Sequence, residues 1–218
     1  MHKTKQIPME IDLLAENRRL AEENLRRLRE RGIRSLDVMG SIGSGKTALI
    51  VRMAERLTSS GLRPAAIAGD VAGQDDYDRF TAAGIPSVNV NTGKECHLDA
   101  HLINHALDEM VLDDIDILFI ENVGNLVCPA DFPLGTDMRL VVISLTEGDD
   151  MIRKHPIIFA TSDVAALNKI DLAPYLDVDV GRLRLDYKMV RPDASLKLIS
   201  AKTGEGLENL MTSLHLSP

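Results

Sequence analysis

Two stretches of this 218-residue chain carry residue types and spacings suited to phosphate and base chemistry. "GSIGSGKT", residues 40–47, fits G-x-x-x-x-G-K-[ST] between an apolar run ending at Met39 and an expected helix. Gly43 and Gly45, on either side of Ser44, let the backbone turn its N–H groups inward around phosphate oxygens, and the helix N-terminus adds its dipole. Lys46 supplies positive charge for the β- and γ-phosphates, and Thr47 offers a hydroxyl to Mg2+. Further on, "ALNKID" sets Asn168, Lys169 and Asp171 just after an expected strand. The N-K-x-D pattern is that of guanine-binding GTPases. One carboxylate can accept from both the ring N–H and the exocyclic amino group of guanine, and adenine's edge lacks that pair. Hydrogen bonds to charged groups are worth roughly 1.5–3 kcal/mol each, enough for discrimination. "SAKTGEG" places Ser200, Ala201 and Lys202 where a backbone loop reads the guanine oxygen. GTP and GDP are the expected nucleotides. A lone N-K-x-D could also be a capped, solvated loop, and a nucleotide kinase would share the phosphate loop but not the two base motifs.

A third group is made of thiols and imidazoles. The chain has two cysteines and six histidines. Cys96 and His97 stand in "GKECHLDAH", with His101 four residues on, and Cys128 stands in "NLVCPADF". On one continuous helix His97 and His101 would share a face. Thiolate and imidazole are the donors that Zn2+ and Ni2+ favour. The shell could close within one chain or across a two-fold axis, and inert buried thiols are the plainer alternative.

Between these landmarks lie the acidic candidates. "AGDVAGQDDYDRF" offers Asp70, Asp75 and Asp76, and "FIENVGN" offers Glu121 and Gly124. Magnesium takes one or two carboxylates besides Thr47 and phosphate oxygens. Asp75 is the expected ligand or water-orienting group, with Asp70 and Glu121 as further candidates. Gly124 is placed to present its amide to the γ-phosphate. No glutamine stands out to position water, so slow hydrolysis by the isolated chain is expected, with a partner chain supplying charge.

The elements that must position these residues alternate. Short apolar runs near residues 35–39, 65–68, 87–90, 115–120, 139–144, 163–167 and 196–199 read as strands. Helical stretches fall near 45–60, 75–83, 98–111, 149–158, 176–187 and 205–214. The pattern predicts an α/β fold, a P-loop NTPase with a mostly parallel sheet of about seven strands covered by helices on both faces. Residues 9–31 predict an amphipathic helix with Leu14, Ala21, Leu25 and Leu28 on its apolar side and Gly32 as its stop. Residues 1–33 are expected to be a helix packed on its own domain, with a dimer contact as the alternative, and 34–218 the nucleotide domain with inserted metal-site segments. Lys and Arg total 25 against 33 Asp and Glu, a net −8 that argues against nucleic acid as partner. No run is long enough for a membrane helix, and the charged start is unlike a signal peptide, which points to the cytoplasm. A stable disulfide is disfavoured there.

Taken together, "GSIGSGKT", "GDVAGQDDYDRF", "TGKECHLDAH", "ENVGNLVCP", "NKID" and "SAKTGEG" resemble the hydrogenase nickel-incorporation GTPases, the HypB family, over roughly residues 10–215. The resemblance implies a homodimer favoured by GTP, with metal held at its interface by Cys96, His97 and Cys128. It also implies nickel delivery to the hydrogenase large subunit together with other maturation proteins. Coupling between nucleotide state and metal would run through the loop from Glu121 to Cys128. Many members carry an N-terminal cysteine motif or histidine tract. Here His2 is the only histidine before the phosphate loop, so a separate N-terminal nickel site is not expected. The urease nickel chaperone is the nearest rival, but it would carry Cys-Pro-His where this chain has Cys128-Pro129-Ala130. A nucleotide-dependent scaffold with inert thiols is the rival of another class.

Overall fold

Strands buried along their whole length need cover on both faces, and the chain supplies helices for both. The computed structural model describes the backbone of residues 6–216 and the side chains of residues 13–216. Seven strands form one parallel sheet: β1 (Arg34–Gly40), β2 (Pro64–Asp70), β3 (Ser87–Asn91), β4 (Ile117–Glu121), β5 (Met138–Ser144), β6 (Val164–Asn168) and β7 (Lys197–Leu198). Their order is β3-β2-β4-β1-β5-β6-β7, which puts the phosphate-loop strand near the centre. The helices are α1 (Gln6–Glu30), α2 (Lys46–Ser59), α3 (Asp75–Ala82), α4 (Ala100–Glu109), α5 (Met151–Lys154), α6 (Pro156–Thr161), α7 (Val180–Val190) and α8 (Leu207–Ser213). The α/β class and parallel sheet are as the strand–helix alternation predicted. No helix among the described residues is long and apolar enough to cross a membrane.

The pleat sorts each strand's residues between two faces. Leu36, Val38, Phe119 and Val142 pack with Leu49 and Met53 of α2 and Leu210 of α8. On the opposite face, Leu118 and Ile120 meet Leu28 of α1 and Leu107 of α4, while Val141 and Ile143 meet Phe159 of α6 and Leu183 of α7. Asp37 and Arg139 are register partners on β1 and β5. Asp37 is fully buried, with its Oδ2 3.6 Å from Arg139 Nε and its Oδ1 accepting from Asn122 Nδ2 at 3.2 Å.

Three boundaries differ from expectation, each for a local reason. The helix expected at 149–158 is two short helices, because Pro156 cannot continue the first and instead opens the second. The helix expected from residue 98 starts at Ala100, where the Asp99 side chain caps the Leu102 N–H at 2.8 Å. On α1 the buried face is Asn17, Ala21, Asn24 and Leu28, while Leu14 and Leu25 are only partly covered.

Burial pushes the Asp37 pKa up to about 6 against the opposing pull of Arg139 and Asn122. The fold therefore favours the protonated acid. Its contribution is fully present below about pH 4 and is lost as pH rises through about 6. Asp37→Asn should lack this loss. Its stability relative to wild type should climb by up to about 3 kcal/mol between pH 4 and pH 7, whatever the constant offset. Urea denaturation across that range measures it, and a difference independent of pH would refute the burial account.

Candidate functional site

In a parallel sheet the strands' C-terminal ends line one edge, the place where ligands of such folds bind. Gly40, Asp70, Glu121, Ser144 and Asn168 each end a strand there. The phosphate loop turns on Gly43 and Gly45, both at positive φ (77° and 92°), and α2 starts directly after. Lys46 is buried, and its Nζ donates to Ser41 O at 3.2 Å and Gly40 O at 3.4 Å. Burial pushes its pKa down. The loop thus holds one desolvated ammonium against backbone carbonyls at the N-terminus of α2, an arrangement that suits a polyphosphate.

Thr47 Oγ1 lies 2.6 Å from Asp76 Oδ1 and 3.0 Å from Glu121 Oε1. Burial pushes Glu121 up to about 7, and its Oε2 is buried without a hydrogen-bond partner. An orphaned buried carboxylate oxygen beside a second carboxylate and a hydroxyl is a donor set that fits a hard divalent cation. The sequence pointed to Asp75 for this place, and the structure brings Asp76 instead. Both stand in the first turn of α3, where neighbours diverge by about 100°, and Asp75 is the one turned to solvent. Asp70 closes its own turn, its Oδ1 accepting the Val71 N–H at 2.6 Å. Glu147 was not foreseen. Its Oε1 accepts from the Ser41 hydroxyl at 2.6 Å and the Ser144 N–H at 3.1 Å, and burial raises its pKa. Its signal in the sequence was the S-x-x-E spacing from Ser144, which forms a capping box here.

On the other side of the phosphate loop is a cavity of about 670 Å³ lined by Gly45, Asn168, Lys169, Asp171, Ala201 and Lys202 among others. Asn168 joins its walls: Nδ2 donates to Ser44 O at 2.9 Å, and Oδ1 accepts from Ala201 N at 3.0 Å. Lys169, in the left-handed region at φ 64°, reaches Gly43 O with Nζ at 2.7 Å. Ser200 Oγ donates to Asp171 Oδ1 at 2.6 Å and holds that carboxylate at the cavity wall.

The thiols meet within one chain. Cys96 and Cys128 Sγ are 2.7 Å apart, Cys96 Sγ is 3.8 Å from His97 Nδ1, and donor atoms of all three residues lie within 4.8 Å of one another. The neighbouring Cys128 thiol pushes the Cys96 pKa up, and burial pushes that of His97 down. His97 stacks on Phe132 with ring centroids 4.0 Å apart. Two sulfurs and a neutral imidazole suit a borderline-soft metal. His101 is not in this cluster. It meets His105 edge to face instead, since His97 precedes α4 and the four-residue helical spacing does not apply to it.

The two sites are stitched together by Asn125, which the sequence reading passed over. Its N–H donates to Gly40 O at 3.0 Å, and its side chain donates to Cys96 O at 3.2 Å and accepts from Val127 N at 2.8 Å. Gly124 permits this approach, for a Cβ there would stand 2.5 Å from Ile42 Cγ1.

Comparison with known proteins agrees with this geometry. Residues 35–197 match the CobW/HypB/UreG nucleotide-binding domain. The chain is 48% identical over 217 residues to the probable hydrogenase maturation factor HypB of Methanocaldococcus jannaschii, covering 100% of this chain and 98% of that one. It is 44% identical to the hydrogenase maturation factor HypB of Escherichia coli K12, over 98% of this chain and 73% of that one. Among solved structures, HypB from Helicobacter pylori in complex with nickel superimposes with a TM-score of 0.85 at 33% identity, covering 92% of this chain and 94% of that one. HypB of Archaeoglobus fulgidus gives 0.84 at 46% identity, over 92% and 98%. The chain belongs to the CobW/HypB/UreG family of nucleotide-binding P-loop proteins, with the hydrogenase maturation factors HypB as its relatives.

Proposed function

We propose that this chain is a GTP-hydrolysing nickel metallochaperone that assists nickel insertion into a hydrogenase large subunit, its metal affinity set by nucleotide state. The observation that carries the reading is Asn125, one residue bonded to the phosphate loop and to the backbone of a candidate nickel ligand. The nickel complex of the Helicobacter pylori relative supports the metal. Nickel is cargo here, held by Cys96, His97 and Cys128 until a partner takes it. Zinc could occupy the same donors.

The guanine base goes to Asp171, with Ser200, Ala201 and Lys202 closing the pocket from above. Lys46 neutralises the β- and γ-phosphates. Thr47 with Asp76 and Glu121 would hold Mg2+, which supplies charge for the transferring phosphoryl group. Glu121, buried at the end of β4 and bonded to Thr47, is the carboxylate placed to hold Mg2+ or to orient the attacking water. Gly124 presents its amide toward the γ-phosphate, so gain or loss of that phosphate moves the loop carrying Asn125 and Cys128. Slow turnover by the single chain is expected, with a partner chain supplying charge at the transition state. GTP favours a homodimer, for Ile42 on the phosphate loop and Val127 beside Cys128 are exposed apolar side chains (85% and 59%) that a second copy would cover.

Three outcomes are expected. Asp171→Asn should weaken GTP by about 10- to 100-fold and improve binding of xanthosine triphosphate, and an unchanged preference in a competition assay would defeat the base assignment. Equilibrium dialysis with nickel should show at least about a fivefold difference in affinity between the GTP-analogue and GDP states. Equal affinities would remove the coupling. Asn125→Ala should reduce that difference while leaving nickel capture in place, whereas Cys96→Ala or Cys128→Ala should abolish capture, as metal analysis of the purified variants would show.

A further inference from the structure

Helix α1 places two amides where an amphipathic helix would place aliphatic side chains. Asn24 is fully buried and Asn17 is 6% exposed, on the face shared with Ala21 and Leu28. Their partners are backbone groups of the two segments that bring the thiols together. Asn17 Oδ1 accepts the Ala100 N–H at 2.8 Å, and its Nδ2 donates to Pro133 O at 3.0 Å. Asn24 Nδ2 donates to Ala100 O at 2.8 Å and to Leu134 O at 3.1 Å, and its Oδ1 accepts from Asn104 Nδ2 at 2.9 Å. Ala100 follows Cys96 by four residues, and Pro133 follows Cys128 by five. The helix backbone itself sits on Gly135, where a Cβ would strike the Ala21 carbonyl oxygen.

We propose that Asn17 and Asn24 are positioning residues of the thiol site, and that α1 is the splint that holds its two halves at bonding distance. Each asparagine bridges both halves at once, a job no aliphatic residue could do. Cys96 lies in an irregular segment beyond β3 and Cys128 opens a short 3-10 turn beyond β4, both outside the strand ladder. Asn122 and Asn125 tie the two segments on the sheet side, and α1 ties them on the other. The functional meaning rests on the metal reading above. The geometric claim, that α1 sets the separation of the two sulfurs, is independent of it.

The informative variant is Asn17→Asp in the full chain. It keeps an oxygen for the Ala100 N–H, and its charge lies at the N-terminus of α4, where it is favourable. It loses the donor to Pro133 O and sets two oxygens against each other, so the Cys128 segment is released while the helix cap is kept. Two probes read the result. Phenylarsine oxide condenses with two thiols to form two As–S bonds and one water, and binds tightly only when both sulfurs reach one arsenic. Nickel affinity is read by chelator competition, together with the thiolate-to-nickel charge-transfer absorption. Both affinities should fall by about 10- to 100-fold in a chain that circular dichroism shows to be folded and that keeps its GTP-analogue affinity. The unfolding midpoint should drop, because a carboxylate has been buried near Asp99. Wild-type affinities for both probes in folded Asn17→Asp would overturn the proposal. Should that variant fail to fold, Asn17→Ser, which is too short to bridge, decides by the same two readings. A wild-type chain that binds the arsenical but not nickel would defeat the metal reading and leave the splint standing.

Discussion

The carbonyl oxygen of Gly40 is where the two halves of this molecule's chemistry meet. It closes β1, accepts the Asn125 N–H at 3.0 Å, and stands 3.4 Å from the Lys46 ammonium. Because β4 is the direct neighbour of β1, the segment leaving Glu121 has to cross the phosphate loop before going anywhere else. That crossing needs a residue without a side chain at Gly124 and a hydrogen-bonding one at Asn125. The thiol of Cys128 follows within a few residues, so the proposed coupling would have only a short segment to cross. Coupling of this kind needs no long pathway, only two loops that share hydrogen bonds.

Behind that crossing lies a seam of buried polar groups. Asp37 and Arg139 face each other across β1 and β5, and Arg139 Nη2 extends to the Pro129 carbonyl beside Cys128. Asn122 bonds Asp37 on one side and the Leu98 N–H, next to His97, on the other. A buried ion pair is weak as a source of stability, since desolvation offsets much of the attraction. Its value here is directional. Apolar residues in the same places would fill space without fixing how the two thiol-bearing segments enter the site.

What could be read beforehand was chemistry whose demands are local. Gly43 and Gly45 sit at positive φ where few other residues are tolerated, so the phosphate loop announces itself in its spelling. The two cysteines were conspicuous because there were only two. The near misses were matters of angle. Asp75 and Asp76 differ only in which way they leave the first turn of α3, and His101 was assigned on a helical spacing that begins only at Ala100. Pro156 was visible, yet the apolar period over 149–158 overrode it. Asn17, Asn24, Asn125 and Glu147 escaped notice for another reason. Polar side chains read as solvated, and most of the partners of the three asparagines are backbone atoms, up to 116 residues away, which no local pattern encodes. Glu147 differs in that its S-x-x-E spacing from Ser144 was visible.

Asn168 has a role beyond lining a wall. A Cβ on Gly45 would stand 2.5 Å from its Nδ2, so the phosphate loop and the base loop interlock at one amide. With Ser44 on one side and Ala201 on the other, the nucleoside cavity has its shape before any nucleotide arrives. Little conformational freedom is then left to lose on association, and more of the binding free energy is free to act elsewhere. Under the proposed coupling, a rigid seat of this kind would leave the contacts of the terminal phosphate free to act on the neighbouring loop.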